Sequence, residues 1–552
     1  MTRCLIGRDH RASDGVTDPG LSALLEEHWE SRMVREPLWA SRLGDRRFDD
    51  RIGGTKVADH DRAREEERRY LHRAKELDPK GLNPSDRLTR RLFIENSEGG
   101  LAVDDVRQEE WCILPRNTPV TTIGWLPQIR PVETADDEAN LKARYEAIPE
   151  FVDGLLECLS IGAAAGKYAN AESVRRAIEM VREELDRPEV TWVSADAAIR
   201  PALERYADFL EGEILPHGRT GDDVGIHAIP GGDDAYAAMI RRFTTLPLTA
   251  REIHDTGLAE MESIHAEFRE IGGRALGVTE IPDLFDRLRN DPELRFATSE
   301  EVEAKAASCL DAARRAMPDW FGRLPRADCV VKRIPDHDAP YTTIAYYRPA
   351  SGDGTQPGEY RINTYAPETR PRFEAAALAF HESIPGHHLQ IAIAQELPAM
   401  PAFRRHGWVT AYGEGWALYT ERLADEMGLY EDDLDRLGVL SFDAWRASRL
   451  VVDTGIHAFG WSRERAMRYM RENTPLAVNN IDNEVDRYIT WPGQALSYKI
   501  GQIAVRSLRK TAEETLGDAF DVRDFHDVLL GSGAVPLPVL EELVHDSLGD
   551  KA

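Results

Sequence analysis

Apolar residues recur at three- and four-residue steps through long stretches of the chain, with charged positions between them. Residues 21–41, 59–77, 84–98, 137–165, 171–185 and 197–215 all carry this period, which is that of a helix with one face toward a core. The two-residue period of a strand is scarce. Its best cases are residues 341–347 and 359–365, rich in aromatic and β-branched side chains and joined by a glycine-rich loop, Ser351 to Gly358. They predict a hairpin or two adjacent strands in a mainly α-helical protein. Thr249 with Glu252 three positions on reads as a helix N-cap, and Gly231-Gly232 closes the preceding helical stretch. The expected organisation is a tail over residues 1–20, a helical half over 21–245 and a second half over 246–552.

Chemistry concentrates in the second half. His381-Glu382-Ser383-Ile384-Pro385-Gly386-His387-His388 follows a run of strong helix formers, Glu374 to Ala379. In the usual zinc-protease spacing, His-Glu-x-x-His, two imidazoles four apart share one helix face. Here the next histidines stand six and seven positions after His381. At about 100° per residue the sixth falls on the far side of a straight helix, and the seventh lies about 10 Å further along it. Neither suits a single ion. Pro385 removes a helix donor and Gly386 frees the backbone, so the pair reads as a two-residue insertion that resets the helix. His387 then takes the second-ligand place, and His388 is the alternative imidazole or a substrate-side group.

A catalytic zinc with two histidines needs a third protein ligand and an open position for water. The amphipathic stretch from Ala411 to Tyr430 supplies Glu414, flanked by Gly413 and Gly415, with Glu421 as the fallback. Glu382, adjacent to one ligand and not a ligand itself, is the expected general base. Further along, Arg449, Asp453 and His457 at four-residue steps share a helix face, and Arg487-Tyr488 and Tyr498 add a guanidinium and two phenols.

These segments together resemble the DUF885 family of bacterial proteins, from His381 to Gln390, Glu414 to Tyr419, Arg449 to His457, Arg487-Tyr488, Pro492 to Gly501 and Phe525-His526-Asp527. The resemblance extends over roughly residues 20–545. Gly413-Glu414-Gly415-Trp416 is also similar to the Asn-Glu-Gly-Phe element that carries the third ligand in gluzincin aminopeptidases. What the resemblance implies is a zincin-like helical metallopeptidase fold with a small β-sheet beside the metal-binding helix, one Zn2+ on His381, His387 and Glu414, and no particular substrate. By the same resemblance Tyr498 and His457 are expected opposite the metal as catalytic donors. His388, Arg487, Tyr488 and, on the strand over 359–365, Tyr360 and Asn363 are expected on the substrate side, that strand offering an edge to an extended peptide.

Composition adds limits. A formal charge of −28 argues against nucleic acid or anionic membranes, which need clustered positive charge. No run of about 18 apolar residues exists to span a bilayer. The five cysteines, at 4, 112, 158, 309 and 329, are odd in number and far apart, and the first ten residues lack a signal-peptide core, so a cytoplasmic location is expected. Two imidazoles and a carboxylate suit zinc and other divalent transition metals. The favoured activity is metal-dependent hydrolysis of a peptide or small amide. The alternatives are a hydrolase of another amide or ester, and a non-catalytic helical binding protein with a vestigial site; Glu382, which has no structural duty in the motif, argues against the last.

Overall fold

A computed structural model describes residues 12–351, 356–397 and 399–549 of the protein. The expectations for the first ten residues and Cys4, and residues 352–355 of the glycine-rich loop, lie outside the described residues. The chain is mainly helical with one three-stranded sheet. Among the early helices, Pro19–Arg35, Val57–Glu76, Pro84–Asp104, Ala171–Asp186 and Asp196–Phe209 follow the apolar periodicity. The helix expected over 137–165 is two, Ala135–Glu146 and Ile148–Ala164, because Pro149 has no N–H to continue the first and is accommodated in the first turn of the second.

Two of the apolar cores among the described residues are the largest. One is drawn from residues between Ile52 and Ile214, with Trp192, Val181 and Leu203 fully buried. The larger one joins residues from either side of position 245: Leu21, Phe93 and Met239 with Phe380, Trp416, Leu540 and Leu548.

The helices that carry the site belong to the second half: α1 (Ala250–Leu276), α2 (Ala375–Glu382), α3 (His387–Glu396), α4 (Thr410–Glu426), α5 (Asp433–Phe459), α6 (Val478–Thr490) and α7 (Ser497–Leu516). α1 starts at the expected cap: Thr249 Oγ1 accepts from the Glu252 N–H at 3.2 Å, and Glu252 Oε2 accepts from the Thr249 N–H at 2.8 Å. α4 and α7 cross where Gly415 meets Gly501. A Cβ on Gly415 would stand 2.5 Å from the Gly501 backbone, and one on Gly501 would collide with the Ala411 carbonyl. Either glycine changed to alanine overpacks the crossing, at a cost of about 1–3 kcal/mol.

The sheet contains β1 (Cys329–Arg333), β2 (Ala345–Arg348) and β3 (Gly358–Ile362), ordered β1-β3-β2. β3 runs parallel to β1 and antiparallel to β2, with Tyr347 opposite Tyr360. The two expected strands are therefore neighbours, but β3 is central and has no free edge, so it cannot add a peptide strand; β1 and β2 are the edges. β2 also begins later than the pattern predicts, because residues 339–341, containing Pro340, form a 3-10 turn.

Candidate metal centre

Residues 380–388 break as the proline and glycine require. α2 ends at Glu382, and α3 restarts at His387. Gly386 is packed so tightly that a Cβ there would run into the carbonyls of Phe380 and His381. The Trp416 indole N–H pins the bend by donating to the Pro385 carbonyl at 3.0 Å. The break brings the His381 and His387 rings to a centroid distance of 4.8 Å, nearly perpendicular at 86°.

Glu414, on the first turns of α4, meets both. Its Oε2 lies 3.5 Å from His387 Nε2 and 3.9 Å from His381 Nε2. Donors at about 2.0–2.2 Å from a tetrahedral zinc stand roughly 3.3–3.6 Å apart; the His387–Glu414 pair has that spacing, the His381–Glu414 pair is longer, and all three donors lie within 4.8 Å of one another, so they could hold an ion after side-chain adjustment. The flanking glycines have a packing reason: a Cβ on Gly413 would strike the Trp408 ring, and Gly415 admits α7.

Glu421, two turns further along α4, is not a third donor to the same point. Its Oε1 contacts His381 Nδ1 at 2.7 Å, which fixes the imidazole orientation and leaves Nε2 for a metal. Burial pushes the Glu421 carboxyl up to about 8. Burial, then the neighbouring His387, lowers His381 well below the imidazole range. For His387 burial opposes protonation, but Glu414 outweighs it and the group is raised; Glu414 itself is lowered against its burial by the same contact.

The three donors open on a cleft of about 370 Å³, whose walls include Ala345, Tyr346 and Tyr347 of β2, Glu382, Trp408, Arg446, Arg449 and Tyr498. Glu382 accepts the Tyr347 backbone N–H at 3.0 Å, on the edge of β2 away from β3. Burial raises its carboxyl to about 7.

Of the residues expected around the metal, His381, Glu382, His387, Glu414 and Tyr498 come together and the others do not. His388 turns away, with Nδ1 at 2.9 Å from the Tyr347 hydroxyl and Nε2 at 3.1 Å from the Ala327 carbonyl. His457 is fully buried, with Nδ1 taking the Ile226 N–H at 3.2 Å and Nε2 at 3.0 Å from the Tyr488 carbonyl. The Tyr488 hydroxyl donates to Glu484, which also holds Arg487 and Arg449. Tyr360 packs in the core, and the Asn363 amide donates to the carbonyls of Ala339 and Thr343. Sequence reading missed Phe442, Trp445 and Arg446 in the cleft wall. With Arg449 they recur at steps of three, one and three on one face of α5, an aromatic and cationic stripe that was the available signal.

Among the described residues no helix is long and apolar enough to cross a membrane, and Cys158, Cys309 and Cys329 are buried without disulfides. The chain is similar to the crystal structure of a "putative lipoprotein" from Colwellia psychrerythraea, with 26% identity and a TM-score of 0.85 over 96% of this chain and 99% of that one. A protein of unknown function from Shewanella oneidensis, also described as a lipoprotein of that provisional kind, shares the fold with 16% identity and a TM-score of 0.77 over 95% and 99% of the two chains. No curated protein matches. Residues 37–544 match the family described as bacterial proteins of unknown function, DUF885, and the chain belongs to that family.

Proposed function

We propose that the protein is a zincin-like, metal-dependent hydrolase that cleaves peptide bonds. The observation that carries this reading is the convergence of His381 Nε2, His387 Nε2 and a Glu414 oxygen within 4.8 Å of one another at the cleft, with Glu382 beside them and outside the ligand set. Three ligands leave one tetrahedral position open, the arrangement of catalytic rather than structural zinc. A zinc ion bound there supplies a Lewis acid and lowers the pKa of water at the open position.

The side chains divide the remaining work. Glu421 holds His381 in the orientation that presents Nε2. Glu382, whose second oxygen is not engaged by Tyr347, takes a proton from the attacking water and delivers it to the departing amine. Burial favours the protonated form of this carboxyl, which helps it keep the proton until the amine departs. The outward edge of β2 offers backbone groups to an extended substrate, the role first expected of residues 359–365. Tyr498, in the same wall, is the candidate hydroxyl donor to the oxyanion.

The test is metal content of the purified protein, followed by mass spectrometry of a mixed peptide library with chelator, without it, and after zinc is returned. Chelator-sensitive cleavage restored by zinc is the expected outcome; a metal-loaded protein that leaves every peptide intact would refute the reading.

A further inference from the structure

One wall of the cleft is the aromatic and arginine face of α5. Arg446 is 5% exposed and Arg449 3%. Rings cover their flat faces: the Arg446 guanidinium carbon lies 4.6 Å from the Phe442 ring centre and 4.4 Å from that of Trp445, and Arg449 lies 4.4 Å from Tyr498. Ring contact does nothing for the N–H edge of a guanidinium, which carries five donors in a fixed fork. Arg449 gives Nε to the Tyr488 hydroxyl and Nη2 to Glu484, while its Nη1 is buried with no partner. Arg446 has both Nε and Nη1 buried with no partner. Glu484 already serves Arg487 as well, so it does not neutralise the wall by itself.

Two desolvated cations three residues apart repel each other and leave donors unmet, an arrangement that is expensive unless an anion completes it. Glu421, Glu414 and Glu484 lie close enough to offset the charge of the pair, but none of them bonds the unmet Nε and Nη1 of Arg446 or Nη1 of Arg449. We infer that Arg446 and Arg449 bind a carboxylate of the substrate, and that this carboxylate is the free C-terminus of a short peptide. The inference rests on the peptide-hydrolysis reading and narrows it. A planar carboxylate matches the guanidinium fork, and charge-assisted bonds of this kind are the strong ones. The cleft, about 370 Å³, is near the lower end of ligand pockets, which run roughly 300–1,000 Å³, and so favours a short substrate over a folded loop. Hydrolysis then adds the elements of water across the C–N bond, and the fragment leaving as the amine is the one that carries the carboxylate.

Calorimetry on zinc-loaded Glu382→Gln, with trialanine and trialanine amide as ligands, tests this without turnover. The free acid should bind about 10²-fold more tightly than the amide, the worth of one or two charge-assisted bonds, and Arg446→Met should bring the two within about threefold. The wild-type enzyme should show the same preference in kcat/KM, a comparison that needs no arginine variant to fold. Equal binding and cleavage of acid and amide would overturn the carboxylate site while leaving the hydrolase reading intact. Tighter binding of an amidated peptide with an internal aspartate than of trialanine would overturn the terminal assignment. If neither trialanine nor its amide binds or is cleaved, and the peptide library is also untouched, the peptidase reading fails and takes this inference with it.

Discussion

Two buried histidine clusters sit on neighbouring helices and behave differently. In one, His381 and His387 point Nε2 atoms at Glu414 across a space that opens to the cleft. In the other, His457 lies against Tyr236 and Tyr488, and both of its ring nitrogens are engaged by backbone, a donor at Nδ1 and an acceptor at Nε2. Burial lowers the basicity of His381 and of His457 alike, the latter to about 3. Neither depth nor the lowered basicity of His381 separates the candidate metal centre from a structural polar cluster. The separating property is whether the nitrogen lone pairs are already spent. His457 holds Ile226 to Tyr488 across hundreds of residues of sequence; His381 has one nitrogen held by Glu421 and the other facing the cleft.

The comparison breaks most sharply at the ligands. Replacing His381, His387 or Glu414 by Ala should abolish metal retention after dialysis and activity with it. His388→Ala and His457→Ala should keep the metal, the latter losing about 1–3 kcal/mol of stability in denaturant titration because buried backbone partners are left unmet. A metal-free His457→Ala would erase the distinction.

The next effect belongs to Glu382. Glu382→Gln should retain the ion while kcat falls by about 10² to 10⁴; unchanged turnover in a metal-loaded variant removes Glu382 from the chemistry. Tyr498→Phe should lower kcat by about 10 to 10³ with metal content and melting temperature little changed. Lost stability with intact kcat would move Tyr498 into the structural class. Glu421→Ala should weaken zinc affinity by about 10- to 100-fold, measured against a competing chelator, because His381 loses its orienting partner.

The smallest expected effect sharpens the structural side. Burial raises Asp453, which accepts from the Tyr236 hydroxyl and the Gly493 N–H, from 3.8 to about 7. Between those values the native state keeps a proton that the unfolded chain has released, so this contribution to stability is complete at low pH and lost as pH rises through about 7. Asp453→Asn cannot titrate. Its stability relative to wild type should rise from pH 4 to pH 8; a constant difference across that range would place the native carboxyl near its ordinary value.

What could be read in advance depended on how local the cause was. The reset at Pro385-Gly386, the choice of His387, the paired glycines around Glu414 and the Thr249 cap are each set by residues within one or two turns. The centrality of β3 was not legible, because its partner β1 arrives from about thirty residues earlier by a parallel pairing that no hairpin signal announces. The role of His457 was hidden for a similar reason. Its partners come from residues 226 and 488, and a sequence displays a histidine without displaying what will meet it. Arg446 was passed over because an arginine in a helix is ordinarily solvated; only the aromatic spacing around it hinted otherwise.

The separation of the two largest cores has a consequence for synthesis. The core drawn from Ile52 to Ile214 has every member in hand once the first two-fifths of the chain has emerged, and it is free to condense early. The larger core holds Leu21 and Leu548 together, so it stays incomplete until residue 548 has been made. At about 5–20 residues per second that interval lasts on the order of half a minute to two minutes for the whole chain. The helices bearing the metal donors belong to that late core. The cluster of His381, His387 and Glu414 thus settles with that late core, and Leu21 and Phe93 wait, partly uncovered, for partners made several hundred residues later.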